Sequence, residues 1–204
     1  MVSQSTHDER ETRRTAPNRG ARTALLAVAT VAAALGARLL DPVARVDRTV
    51  VRRIWDLPDA WEASWRALVT LGSLAAVLPA VLALWVTTQR IGAGVRLGLA
   101  ALLARATTHV LKVVLDQPRP NLGTGRVPRE LVDDPGWPSS HAAIAFAMAA
   151  VAARVLGRRW SVLLYAIAAL VALGRVYLGV HFVSDVVAGG GIGMLCGVAT
   201  RERR

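Results

Sequence analysis

Long apolar runs separated by short polar segments dominate the chain after its first 22 residues. Six such runs lie at residues 23–40, 67–88, 95–115, 142–156, 162–180 and 182–200. Each approaches the ~20 residues that a helix needs to cross a bilayer, with the fourth run on the short side. The pattern predicts an all-α, polytopic membrane protein, a bundle of six transmembrane helices that forms one domain over residues 23–200.

The segment between the first two runs, residues 41–66, has a different pattern. Its apolar residues recur at helical spacing between arginines: Val43, Val46, Val50 and Ile54. This spacing predicts an amphipathic helix that lies in the membrane interface. Three tryptophans of the same segment are expected at the level of the lipid headgroups: Trp55, Trp61 and Trp65.

Positive charge indicates how the bundle is oriented. With six spans both chain ends lie on one side, and most arginines outside the runs lie there too, with Arg96 just inside the third run: Arg10, Arg13, Arg14, Arg19, Arg22, Arg90, Arg158, Arg159, Arg201, Arg203 and Arg204. The positive-inside rule makes that side cytoplasmic. The basic segment 41–66 argues the other way without reversing the prediction, so the polar loop 117–141 is expected on the outer face of the plasma membrane.

The composition agrees with a membrane protein, because 53% of the residues are hydrophobic and the mean hydropathy is +0.40. The formal charge of +11 does not indicate nucleic-acid binding, since the basic residues lie between apolar runs. The single cysteine, Cys196, excludes an intramolecular disulfide and a cysteine-based metal site. Residues 1–22 are too long and too acidic for a secretory signal and predict a disordered cytoplasmic tail, and residues 201–204 a basic cytoplasmic C-terminus.

The only lysine of the chain, Lys112, lies near the outer end of the third run. A snorkelling side chain or an ion pair with Asp116, four residues on, are the structural alternatives for it. Arg119 lies seven positions after Lys112. The prolines on either side of it, Pro118 and Pro120, end the helix and hold Arg119 in an extended conformation. Two cations at a membrane surface predict an anion-binding site, and the phosphate of a lipid headgroup suits such a pair.

The stretch "GWPSSHAA", residues 136–143, opens the fourth run with three polar residues. Ser139 or Ser140 is a good N-cap, so the first backbone amides and the helix dipole would form a cradle for phosphate. Simple capping is the alternative and is favoured for this stretch taken in isolation. His141 lies in the first turn, where a bound anion raises its pKa and lets it donate a proton to a leaving oxygen.

A third cluster lies in "GRVYLGVHFVSD", residues 174–185. His181 and Asp185 are four apart and share one helix face, so the carboxylate can accept the Nδ1 proton and leave Nε2 as a nucleophile. A histidine satisfied by its aspartate for structural reasons is the alternative. Arg175 lies six residues ahead on the same side, and all three clusters face outward when six spans are counted.

Together these residues resemble the three-part signature of the type 2 phosphatidic acid phosphatase family. These lipid phosphate phosphatases share a site with the vanadium haloperoxidases. The signature is carried by Lys112 with Arg119 and Pro120, by Pro138, Ser139, Ser140 and His141, and by Arg175 with His181 and Asp185. The chain departs from the family twice, because Ser140 replaces the usual glycine and Gly174 replaces the usual serine.

The resemblance implies a phosphatase mechanism without a cofactor or metal. His181 would attack phosphorus and form a phosphohistidine, while Asp185 holds its tautomer. His141 would protonate the leaving lipid oxygen and then activate water. The phosphate ligands would be Lys112, Arg119, Ser139, Arg175 and the backbone amide of Ser140. His109 matches no motif and is expected in packing or a buried polar contact.

The expected partners are the bilayer and a lipid phosphate, with no nucleic acid, and the sequence leaves the oligomeric state open. The substrate is expected to be a polyprenyl diphosphate such as undecaprenyl diphosphate, favoured by the small size and outward site, or a phosphatidate or phosphatidylglycerol phosphate. Two alternatives are a lipid phosphotransferase and a catalytically silent protein that binds lipid phosphate, the latter supported only by Ser140 and Gly174. The arginine-rich, lysine-poor composition indicates a bacterial source.

Overall fold

The structure, a computed structural model, describes residues 19–121 and 128–201. Within these ranges the chain is helical and contains no strand. The described residues form eight α-helices: α1 (Arg19–Leu39), α2 (Asp41–Trp55), α3 (Glu62–Val69), α4 (Val77–Thr88), α5 (Ile91–Leu115), α6 (Ser140–Leu156), α7 (Arg158–Tyr177) and α8 (Val183–Ala199). Residues 1–18 of the expected tail lie outside the described residues. Residues 202–204 of the expected C-terminus also lie outside them.

In the part of the chain that the structure describes, three helices are long and apolar enough to cross a membrane alone, namely Gly20–Ala37 within α1, α5 and α7. The second predicted run instead forms two helical pieces, Asp59–Gly72 and Leu74–Thr88, which meet at 64°. The break lies at Ser73, whose extended backbone (ψ 164°) interrupts the helix. Helices α6 and α8 are apolar but have only 17 residues each. The prediction of an all-α multi-pass membrane protein is confirmed, while the count of six spans stays a prediction.

The centre of the bundle is a close contact between α6 and α8. A Cβ atom at Gly189 would run into the carbonyl oxygen of Ser139, and one at Gly193 would run into that of Ala143. Small residues four apart let two helix backbones approach closely. As a result Ser139, at the start of α6, donates its backbone N–H to the carbonyl oxygen of Asp185, at the start of α8, at 3.0 Å.

At the opposite end of the bundle, the first and last residues that the structure describes lie close together. A Cβ atom at Gly20, near the start of α1, would collide with the guanidinium of Arg201, which follows α8. Near the same end Arg154 of α6 donates to the carbonyl oxygen of Gly197 at 2.5 Å. The start of α1 and the end of α8 therefore lie together, as an even number of spans requires. Cys196, next to Gly197, is buried in the core as a small apolar residue.

Helix α2 has two distinct faces. Val46 and Val50, two residues of the predicted apolar face, are exposed, whereas Ile54 of that face is partly buried against the core. The adjacent face contacts the protein through Asp47, Val51 and Trp55, all buried. Trp55 is buried in the protein, because its ring packs against the turn at Gly179, while its expected depth at the level of the headgroups stays a prediction. There a Cβ atom would lie 2.6 Å from the indole, and the positive φ of 79° also favours glycine.

The other two tryptophans of the segment differ from each other. Trp61 is half exposed. Trp65 stacks on the ring of Tyr177 with the two centroids 5.5 Å apart. This contact joins α3 to the end of α7. His109 is exposed on α5, so the expectation of a packing role or a buried polar contact for it is wrong.

Candidate active site

All the predicted site residues lie at the helix ends of one side of the bundle. They come from the end of α5 and the segment after it, the start of α6, the end of α7 and the start of α8: Lys112, Arg119, Ser139, Ser140, His141, Arg175, His181 and Asp185. Five of them are buried, namely Lys112, Ser139, Arg175, His181 and Asp185. Ionisable groups are costly to bury, so this concentration indicates a functional site.

The imidazole of His181 lies between a carboxylate and a guanidinium. Its Nδ1 is 3.4 Å from Oδ2 of Asp185. The same oxygen accepts the backbone N–H of Phe182 at 2.8 Å, which fixes the carboxylate at the first turn of α8. On the other side of the ring, Nε2 is 3.5 Å from Nη1 of Arg119. The ring is therefore oriented with Nε2 toward the predicted phosphate-binding cations.

Burial and nearby positive charge favour the neutral form of His181, which lies in the loop before α8. Burial lowers the pKa of His181 well below its usual range, and the positive charges of Arg175, Arg119 and Lys112 lower that pKa further. A neutral imidazole that donates Nδ1–H to Asp185 keeps a lone pair on Nε2. This is the electronic state that a nitrogen nucleophile requires.

Lys112 and Arg119 both point into the segment that precedes α6. The ammonium of Lys112 is 2.9 Å from Oδ2 of Asp134 and also donates to the carbonyl oxygen of Pro135. Both structural alternatives for Lys112 are wrong, because the side chain is buried and its partner is Asp134 instead of Asp116. Asp116 ends α5 in a left-handed conformation with φ 40°.

Arg119 connects three parts of the site. Its Nη1 donates to the carbonyl oxygen of Val180 at 2.6 Å, next to His181. Its Nε donates to the carbonyl oxygen of Asp134 at 2.7 Å, and its Nη2 pairs with the carboxylate of the same residue. The extended backbone after α5 thus lets one guanidinium reach both the histidine loop and the acidic segment.

Among the predicted site residues, two buried donors have no partner in the ranges that the structure describes. One is Nε of Arg175 and the other is the hydroxyl of Ser139. Ser139 occupies the N-cap position of α6, yet its side chain makes no capping hydrogen bond. Simple capping, the alternative for this serine, is therefore absent. An unsatisfied buried donor is costly, so both groups are suited to a ligand with acceptor oxygens.

Ser140 fits its position without strain. Residue 140 is the first residue of α6, and the only non-glycine residues with positive φ in the described chain are Gln89 and Asp116. The Ser140 hydroxyl is 2.9 Å from that of Thr108 on α5, a contact that the sequence analysis missed. His141 follows in the first turn, and the charge of Arg175 acts on its ring.

Gly174 faces away from the predicted phosphate ligands. A Cβ atom there would lie 2.6 Å from Cγ1 of Val69 and 3.0 Å from the ring of Trp65. The glycine therefore permits α3 to pack closely on α7. A serine at this position would have to displace α3.

The sequence analysis missed three acidic residues around the site. Asp134 pairs with Lys112 and Arg119, and Glu130 accepts from Nη1 of Arg175 at 2.8 and 3.0 Å. Burial raises the pKa of the Asp134 carboxyl, but hydrogen bonds and charges from Lys112 and Arg119 outweigh burial and hold that pKa below its usual range. The sequence offered one signal for Glu130 and Asp134, because both are acids of a basic chain and both lie in the loop between the first and second motifs.

The third missed acid, Asp47, comes from the amphipathic helix α2. Its carboxylate accepts the backbone N–H groups of Val183 and Ser184 at 2.8 and 3.1 Å and the Ser184 hydroxyl at 2.6 Å. It therefore caps the first turn of α8, the turn that carries Asp185. No sequence pattern marks this residue, because the capping partner is distant along the chain.

An apolar groove of about 900 Å³ lies between α4, α6 and α7. Its floor includes Ala145, Ala149 and Ala152 of α6. These positions follow His141 at helical spacing, so His141 lies on the same face of α6, one turn beyond the groove. Among the residues that the structure describes, no group of three or more His, Cys, Asp or Glu side chains is arranged to hold a metal ion.

Comparison with known proteins agrees with the geometry of the fold and the order of the motifs. The family model of the PAP2 superfamily matches residues 93–202. A transmembrane PAP2-type phosphatidylglycerolphosphate phosphatase from Bacillus subtilis has a similar structure, with a TM-score of 0.72, 22% identity and coverage of 89% of this chain and 94% of that one. LpxE from Aquifex aeolicus is also similar, with a TM-score of 0.67, 27% identity and coverage of 74% and 92%. In a comparison with curated protein sequences, none matches this chain.

The chain belongs to the PAP2 superfamily, because the family model covers more than half of its length and all three motifs. The predicted enzyme class, a metal-independent lipid phosphatase of this family, is confirmed at that level. The individual roles of the site residues stay predictions.

Proposed function

We propose that the protein hydrolyses a phosphate ester or diphosphate of a lipid through a phosphohistidine formed on His181. The observation that carries this proposal is the buried imidazole whose Nδ1 lies 3.4 Å from Asp185 and whose Nε2 lies 3.5 Å from Arg119. A neutral nucleophile directed at a cluster of cations suits attack on a phosphorus atom whose oxygens those cations bind.

In the first step Nε2 of His181 forms a bond to the terminal phosphorus while the bond from that phosphorus to the leaving oxygen breaks. The leaving oxygen belongs to the lipid alcohol in a phosphate ester and to the lipid monophosphate in a diphosphate. His141 gives a proton to that leaving oxygen. In the second step His141 takes a proton from water, whose oxygen attacks phosphorus, and the bond from Nε2 to phosphorus breaks. Inorganic phosphate and the free His181 result.

The phosphate oxygens would be held by cations and by amide and hydroxyl donors. Lys112, Arg119 and Arg175 would neutralise charge that develops as phosphorus is attacked. The unpartnered Ser139 hydroxyl and the backbone N–H of Ser140, at the start of α6, would donate hydrogen bonds. The unpartnered Nε of Arg175 supports the same arrangement.

The groove supports a substrate with a long apolar tail. Along α7 it extends from Val171 to Trp160, about 17 Å at the rise of an α-helix. A lipid whose tail occupied the groove would have its headgroup oxygen near His141, the proposed acid. We propose a polyprenyl diphosphate such as undecaprenyl diphosphate, or a phosphatidate or phosphatidylglycerol phosphate, since an apolar groove accepts either kind of tail.

We also propose that residues 23–200 form the catalytic domain in the plasma membrane, with the site on the extracytoplasmic side. The exposed arginines at the opposite end of the bundle, among them Arg90, Arg158 and Arg159, support this orientation. Labelling of single cysteines at residues 133 and 159 of a Cys196→Ala background in intact cells tests it. A membrane-impermeant reagent is expected to label residue 133 only, and labelling of residue 159 alone would reverse the orientation.

Phosphate release from purified protein in detergent with excess EDTA tests the activity. The panel contains undecaprenyl diphosphate, phosphatidate and phosphatidylglycerol phosphate. His109→Ala is the matched control for His181→Ala, because His109 is an exposed histidine on α5. Release is expected from the wild type and the control but not from His181→Ala. Equal activity in all three proteins, or none in the wild type, would contradict the proposal. A phosphorylated product with an added alcohol would indicate a phosphotransferase.

A further inference from the structure

Each of the three cations proposed to bind phosphate is paired with a carboxylate of the loop before α6. Lys112 lies 2.9 Å from Asp134, and Arg119 pairs with the other oxygen of that carboxylate. Arg175 lies 2.8 Å from Glu130. Two acids of one loop thus pair with all three phosphate-binding cations and offset two of their three positive charges.

The cations and the acids differ in burial. The side chains of Lys112 and Arg175 are each 4% exposed and that of Arg119 is 16% exposed. Asp134 is 49% exposed and Glu130 is 26% exposed. The carboxylates therefore lie on the outer side of the cations, where a phosphate group entering from the membrane surface would arrive. Carboxylate and phosphate oxygens accept the same charge-assisted hydrogen bonds, so the two compete for the same donors.

The segment of this loop that carries both acids, residues 129–136, is held at both ends. Arg129 donates to the carbonyl oxygens of Trp55, Leu57 and Tyr177 at 3.0, 2.8 and 2.8 Å. At the other end Gly136 donates its N–H to the carbonyl oxygen of Gln117 at 2.7 Å. The acids can therefore leave the cations by rotation of their own side chains, without movement of the loop as a whole.

We propose that Glu130 and Asp134 are internal counter-ions that occupy the phosphate-binding cations between turnovers and are displaced by the phosphate of the substrate. This inference rests on the proposed function. Without substrate the acids offset two of the three charges of a buried cluster of cations, which is costly to leave unpaired. When the lipid product has left, they compete with inorganic phosphate and promote its release. They determine phosphate affinity and are positioning residues, since neither takes part in bond making.

Three single substitutions separate this role from general surface charge. Glu130→Gln and Asp134→Asn keep the shape of the side chain and remove its negative charge. Asp133→Asn is the matched control, because Asp133 is an exposed neighbour that makes no ion pair within the described chain. The dissociation constant for inorganic phosphate is measured by calorimetry in detergent, and KM and kcat for lipid hydrolysis are measured on the same preparations.

Each of the two charge-removing variants is expected to bind phosphate about twofold to tenfold more tightly than the wild type, with a matching fall in KM. The control is expected to bind phosphate like the wild type. Unchanged or weaker phosphate binding in Glu130→Gln and Asp134→Asn would overturn the inference, the weaker result showing that the acids hold the cations in place for phosphate. Tighter phosphate binding without lipid hydrolysis by any of the proteins would leave the counter-ion role standing and contradict the proposed function instead.

Discussion

The two ends of the helix bundle use positive charge in different ways. At one end Lys112, Arg119 and Arg175 have mostly buried side chains, each paired with a carboxylate. At the other end Arg158 and Arg159 are exposed at the start of α7. Exposed arginines of this kind set the orientation of a membrane protein. A buried cation is energetically costly even when it is paired, so its presence indicates a functional site. Burial and counter-charge therefore distinguish the two classes of cation.

The largest expected difference between the two ends is in catalysis. Arg175→Ala is expected to lower kcat/KM for lipid hydrolysis by about 100-fold to 1000-fold, because it removes charge stabilisation at the phosphate. Arg159→Ala, the matched change at the opposite end, is expected to leave kcat/KM within about twofold of the wild type. Steady-state kinetics on the fastest lipid checks both values. Equal losses in the two variants would remove the distinction between the ends.

Among the substitutions considered, loss of Arg129, which holds the loop before α6, is expected to lower the stability most. Arg129 has a 7% exposed side chain that pairs with Asp59, donates to three carbonyl oxygens and lies 4.2 Å from the Tyr177 ring centroid. Arg129→Ala is expected to destabilise the protein by about 3 kcal/mol, because it leaves buried acceptors unpaired. Thermal unfolding in detergent measures the loss. Arg53→Ala, on the exposed face of α2, is the control, and a loss as large in that variant would contradict the assignment.

A smaller loss is expected at the cap of α8. Asp47→Asn removes the charge that accepts two backbone N–H groups and the Ser184 hydroxyl. We expect destabilisation of about 1 to 2 kcal/mol and a fall in kcat, since the capped turn carries Asp185. Denaturation and kinetics of Asp47→Asn beside Asp133→Asn give the measurement. Unchanged kcat with lowered stability would limit Asp47 to a structural role.

Gly174 tests whether restoring the family's serine helps this chain. Gly174→Ser places a Cβ atom 2.6 Å from Cγ1 of Val69, so we expect a loss of about 1 kcal/mol from overpacking and no gain in phosphate affinity. Gly36→Ser is the control, because a Cβ atom at Gly36 meets nothing within 4 Å. Unfolding and phosphate titration of both variants check this. Tighter phosphate binding in Gly174→Ser would show that position 174 faces the site.

The smallest expected effect is a pH dependence from Asp134. Its pKa in the folded protein lies below the usual 3.8, so its ion pairs stabilise the fold above pH 3.8 and are lost as the pH falls through the lowered pKa. The wild type is therefore expected to be more stable than Asp134→Asn near neutral pH, with the difference shrinking below pH 3.8. Melting temperatures from pH 7 to 3 measure it. A difference that grows at low pH would have the wrong sign.

Much of the fold could be predicted from the sequence, because apolar runs of spanning length have few alternatives in a bilayer. The break at Ser73 was not predicted, because the residues around it are compatible with a continuous helix. Only the packing of α3 and α4 in the folded structure shows the break. The burial of Trp55 was missed for a similar reason, because an amphipathic pattern does not show which face meets the protein. Gly189 and Gly193, four residues apart, carried a readable signal for a close helix contact.

The site residues could be singled out in the sequence because each is unusual where it stands, as Lys112 is the only lysine and His181 lies between two apolar runs. The acids that accompany them were not found. Glu130 and Asp134 belong to a polar loop in which acids are ordinary, and only the folded structure brings them to the cations. Sequence patterns mark costly residues inside helices better than their partners in loops.

The most direct test of the central claim is to trap the phosphorylated enzyme. Wild-type protein is mixed with a lipid substrate labelled in the phosphate, quenched in alkali, which preserves a phosphohistidine, and digested for peptide mapping. The account predicts label on the peptide that contains His181, and no label in His181→Ala. A hydrolytically active wild type without covalent label, or with the label on another peptide, would contradict it.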